Sequence, residues 1–162
     1  MGSETELAVF LAEFDFQVDQ IKQIHRRLAD KLAVFEQQDV AREMVESTGY
    51  WLHNLYCAYE DLFKLVSAFW ENNVAADGEY HVNLLKRMRI AIEDIRPALL
   101  SDAGYAYLNE LRGFRHVFRH AYTYGLDDER VHYLMRKTIG AQKPLMTDVK
   151  SFRQKMAGLL NS

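Results

Sequence analysis

The sequence holds one cysteine, Cys57, among 162 residues. An internal disulfide and a cysteine-built zinc site are therefore excluded within the chain. A reducing, cytoplasmic setting is the simplest expectation. Prolines are also scarce, with only Pro97 and Pro144, and the eight glycines are mostly spaced singly. Such a composition leaves long helices uninterrupted. No run approaches the ~18 uninterrupted apolar residues of a membrane span. The opening MGSETELAVFLAEFDF lacks a basic n-region and meets acidic residues early, unlike a signal peptide. Excess positive charge is missing too: 20 Lys and Arg stand against 23 Asp and Glu, a net charge of −3. That balance excludes a non-specific nucleic-acid coat and leaves room for a focused basic patch.

Apolar residues make up 49% of the chain, enough for a sizeable core. The length fits one domain, residues 1–162, burying about two thirds of its unfolded surface. No linker, internal repeat or low-complexity segment divides it.

Period-3.5 spacing dominates. Leu7, Leu11, Phe14, Val18, Ile21, His25, Leu28, Leu32 and Phe35 form a heptad seam over Glu4 to Glu36, broken only by His25. A second seam over Val40 to Asn73 runs through Val45, Thr48, Leu52, Leu55, Tyr59, Leu62, Val66 and Phe69. Trp51, Phe63 and Trp70 widen it, so this helix should be buried on more than one side. Paired antiparallel, the two make a hairpin about 45–50 Å long. AADGEY at 75–80 reads as a turn. A basic helix should run from Tyr80 to Ile95, ending before Pro97. Ser101 or Asp102 should cap a fourth helix over Ala103 to Tyr124, closed by Gly125. Asp127 or Asp128 should open a fifth that reaches Leu160, broken near Gly140 to Pro144. With no strand alternation, the expected fold is an all-α up-and-down bundle.

The fourth helix carries RHVFRHAY, residues 115–122. On a helical wheel Tyr107, Leu111, Phe114, Phe118 and Ala121 form an inward stripe. Arg112, Arg115, Arg119 and Tyr122 form a second stripe, and His116 and His120 a third beside the arginines. Arginine stripes are commonly solvated faces. Two histidines at i and i+4 also suit a metal, but no cysteine or carboxylate shares their stripe. A third reading has definite chemistry. RNA cleavage by its own 2′-hydroxyl needs a base, an acid and positive charge at the phosphorane. Histidine serves as acid or base near neutrality, and arginine offers a charged fork matched to phosphate. No metal or other cofactor is required.

RHVFRHAY resembles the signature of HEPN-domain ribonucleases, most closely the HepT-like toxins: Arg, a polar residue, three more residues, His, any residue, Tyr. His116 stands where many of these carry Asn, and the first and last helices are longer than in compact members. The resemblance implies an all-α homodimer with the motif helices facing across a cleft. It implies Arg115 and His120 as the catalytic pair, with His116 in support; Arg112 and Arg119, on the same stripe as Arg115, are the expected RNA contacts. It also implies a nucleotidyltransferase antitoxin that transfers AMP to Tyr122 and silences the enzyme. The alternative from another class is a non-catalytic module binding a nucleotide or partner protein through Arg112, Arg115 and Arg119.

Among the other residues, His25 reads as a satisfied core histidine, while His53, His81 and His132 fall into no cluster. Lys86, Arg87 and Arg89 could extend a basic rim or be an ordinary solvated face. The tryptophans read as core or dimer interface, and Cys57 as a small apolar residue.

Overall fold

The computed structural model describes residues 3–37, 40–71, 79–121 and 125–161. These residues form five α-helices: α1 (Glu4–Phe35), α2 (Arg42–Trp70), α3 (Tyr80–Met88), α4 (Asp102–Arg119) and α5 (Asp128–Ala157), with a closing 3₁₀ turn, Gly158–Asn161. Among the described residues no strand forms; Ile92 and Arg96 make one isolated bridge. The all-α bundle expected from the sequence is the architecture observed.

Ser3 starts α1 with a capping box: its hydroxyl accepts from the Glu6 N–H, and the Glu6 carboxylate accepts from the Ser3 N–H. The seam then buries Leu7, Leu11, Phe14, Val18, Ile21, His25, Leu28 and Phe35. Contacts from Lys31 to Ser47 and from Phe10 to Phe69 show that α2 runs antiparallel to α1. α2 is the central element, touching α1, α3, α4 and α5. Its wide buried face follows from the aromatics that extend its seam. His25 is fully buried, and its Nε2 lies 2.8 Å from the Tyr59 hydroxyl. Burial lowers its pKa to about 4, so the imidazole is neutral.

Three expectations about the helices need correction. The third helix stops at Met88, not Ile95. Arg96 causes this: its buried guanidinium donates to the carbonyls of Arg87, Ile90 and Pro97 and to Glu71. The Met88 carbonyl meanwhile accepts from Leu99 and Leu100. The carbonyls that would continue the helix are thus taken by the returning chain, and Asp94 turns with a positive φ of 61°. α4 closes at Arg119, with His120 as its C-cap at φ −105° and ψ 7°, so it does not run on to Tyr124 as one helix. α5, in contrast, passes through Pro144 unbroken. The ~3 kcal/mol cost of an internal proline is outweighed by the buried stripe of Leu134, Thr138, Leu145, Val149 and Phe152. The end of the second helix beyond Glu71 and the turn at 75–78 lie outside the described residues.

Candidate active site

α4 is fixed at both ends. The Ser101 hydroxyl accepts from the Gly104 N–H as N-cap. Ser101 also donates from its N–H and hydroxyl to Asp148 Oδ2 at 2.9 and 2.7 Å, tying the start of α4 to α5. At the other end Gly49 of α2 lets the bundle close. A Cβ there would stand 2.5 Å from Leu126 Cδ1 and 3.6 Å from the rings of Phe114 and Phe118. Tyr107, Leu111 and Phe114 are buried as the wheel predicted, and Phe118 and Ala121 are half-buried against the core.

This packing turns the polar stripes outward together. Arg112, Arg115, His116, Arg119 and His120 line one cleft of about 200 Å³ with His81 and Val82 of α3. His116 and His120 meet edge to face, with ring centroids 4.4 Å apart. Arg112 donates twice to Asn109 Oδ1, at 3.2 and 3.0 Å, within its own helix. Arg115 is half-buried, and its Nε has no hydrogen-bond partner. None of the three arginines makes an ion pair with a carboxylate among the described residues.

Their charge is felt by the groups beneath them. His53 stacks on Phe118 at 5.0 Å; burial, then the charges of Arg115 and Arg119, hold it below the usual imidazole value. Burial pushes the Cys57 thiol up, opposed chiefly by Arg115. The Tyr56 phenol is pushed far up by burial and by Glu60, against Arg112 and Arg115. Among the described residues the face is thus a set of cations without carboxylate partners, over a half-buried floor and with imidazoles at its rim. Such an arrangement has the chemistry to hold a polyanion and to move protons beside it. Among the described residues no group of three or more His, Cys, Asp or Glu is placed to hold a metal ion.

A protein-family model described as HepT-like protein matches residues 47–156, well over half of the chain. The chain belongs to the HepT-like family. The match takes in nearly all of α2, the whole of α3 and α4, and α5 almost to its end, while α1 lies outside it. The motif helix therefore falls within the HepT-like region, as the resemblance of RHVFRHAY implied. No curated protein and no solved structure matches the chain.

The sequence reading missed His81. It placed this residue in no cluster, and the fold brings it into the cleft of the HepT-like motif. Only the fold shows why it lies there: Glu60 of α2, beside the seam residue Tyr59, is 5% exposed. A buried carboxylate requires a partner, and His81 is that partner. The suggested basic rim of α3 does not form as a whole. Arg87 donates to Ser67 Oγ, and Arg89 stacks over Tyr105 at 4.3 Å, leaving Lys86 exposed. Arg27 likewise covers the ring of Trp51 at 4.5 Å. Tyr122 lies outside the described residues.

Proposed function

We propose that this HepT-like protein is a metal-independent endoribonuclease, the toxin half of a toxin–antitoxin pair acting in the cytoplasm. The observation that carries the reading is the cleft itself: three arginines without carboxylate partners among the described residues, beside His116 and His120. Arg115 neutralises the phosphorane, and His120 transfers a proton. His116 supports His120 through their ring contact. Arg112 and Arg119 hold the RNA backbone. The working form is a homodimer with the motif helices facing each other. A nucleotidyltransferase antitoxin adds AMP to Tyr122, which follows the arginine stripe in sequence. The added phosphate negates the cationic face and excludes RNA. Among the described residues no helix is long and apolar enough to cross a membrane.

The test is cleavage of a mixed tRNA and mRNA substrate in EDTA, with wild type beside a folded His120→Ala variant. Intact mass must first show a bare Tyr122. Cleavage by wild type alone supports the nuclease. If neither protein cuts, the arginine face is a binding surface for a nucleotide or partner protein and the nuclease reading is withdrawn.

A further inference from the structure

The motif does not account for one histidine of the cleft. His81 stands in the first turn of α3, and its Nδ1–H donates to Glu60 Oε2 at 2.6 Å. Glu60 belongs to α2 and is 5% exposed. Lys64 Nζ stands 3.7 Å from its other oxygen. With Nδ1–H directed at the carboxylate, the neutral ring carries its free lone pair on Nε2. An imidazole oriented through one nitrogen by a carboxylate, with the other free in a cleft, has the arrangement of a general base. His116 and His120 have no carboxylate partner among the described residues. Of the three cleft histidines, His81 alone is held in this way by a described residue.

We propose that His81, oriented by Glu60, is the general base of this cleft, with His120 as the acid; the proposal rests on the ribonuclease reading above. The 2′-hydroxyl gives its proton to His81 Nε2, and the 2′-oxygen bonds to phosphorus. The phosphorus–O5′ bond breaks, and the 5′-oxygen takes a proton from His120. The products are a 2′,3′-cyclic phosphate and a 5′-hydroxyl end, with no co-reactant. Base and acid then belong to one subunit, and the dimer is not needed to bring two histidines together.

The experiment uses two RNA oligonucleotides, one ordinary and one with sulfur in place of the bridging 5′-oxygen, whose thiolate leaves without an acid. On ordinary RNA, His81→Ala and His120→Ala should each slow cleavage about 10²–10⁴-fold. On the sulfur substrate His120→Ala should recover towards the wild-type rate, whereas His81→Ala should not. Added imidazole should restore His81→Ala, an effect that a merely structural role would not produce. Glu60→Gln should slow both substrates without weakening RNA binding. Near-wild-type cleavage by His81→Ala overturns the proposal and leaves the ribonuclease intact. So does recovery of His81→Ala on the sulfur substrate, or a loss that imidazole does not restore. A wild-type protein that cuts neither oligonucleotide overturns the ribonuclease reading itself.

Discussion

At the end of α3, Arg96 has a fully buried side chain whose guanidinium donates to three backbone carbonyls and to Glu71. Arg87 adds a second cation 3.9 Å from the same carboxylate. On α4, Arg112, Arg115 and Arg119 face a cleft and meet no carboxylate among the described residues. The two regions use the same side chain for opposite ends. Where arginine secures the fold, its terminal nitrogens are engaged inside the protein, by three carbonyls and Glu71 for Arg96. Where arginine lines the cleft, no described carboxylate compensates it, and the fold accepts the mutual repulsion. The histidines divide likewise: His25 is buried against Tyr59, whereas His116 and His120 are exposed.

The sharpest way to break this comparison is to truncate one arginine from each region. Arg96→Ala should cost about 3–5 kcal/mol in urea unfolding, because Glu71 and three carbonyls lose a buried donor. Arg115→Ala should move stability by under about 1 kcal/mol, because Arg115 is only half-buried and no described carboxylate or carbonyl depends on it. The same Arg115 variant should lose cleavage by about 10²–10³-fold, the scale for removing one electrostatic stabiliser of a transition state. If Arg115→Ala unfolds the protein as readily as Arg96→Ala, the division between structural and functional arginines fails.

His25 extends the comparison to pH. Its folded pKa of about 4 lies below the ordinary 6.5, so the unfolded chain binds the proton more readily. The stability this group contributes is present above pH 6.5 and is lost as pH falls towards 4. The predicted loss is about 3 kcal/mol between those limits, from the shift and ~1.4 kcal/mol per unit. Urea unfolding at pH 7 and at pH 4.5 measures it, and a His25→Leu variant should flatten the difference. An unchanged slope in that variant would show that another group carries the effect. His53, also lowered and partly by Arg115 and Arg119, is the next to examine.

Much of the bundle was legible because its cause is local. The seams of α1 and α2 and the caps at Ser101 and Asp127 depend on neighbours a few positions away. The end of α3 was misread because Pro97 looked like the stop, whereas the long-range bonds of Arg96 set it. The break at Pro144 failed for the converse reason, since tertiary burial overrode a local penalty. The arginine and histidine stripes of the cleft were readable as helical spacing. His81 was not, because its partner lies on another helix and no sequence interval records their meeting.

The smallest expected effect concerns the outer arginines. Arg119 is exposed, and Arg112 is tied only to Asn109, so neither holds the fold. If each meets one phosphate of single-stranded RNA, removing it should lower the slope of log K against log salt by about 0.7. Arg112→Ala and Arg119→Ala should each do so, and the double variant should lower it by about twice as much. Arg136→Ala provides the contrast from the paired set, because its guanidinium is engaged by Glu36 at 3.0 Å. Its salt slope should match the wild type. Binding titrations across a range of salt concentrations decide the matter. Equal slopes for Arg119→Ala and Arg136→Ala would mean that freedom from a carboxylate does not mark the RNA-binding arginines, and the comparison would lose its functional half.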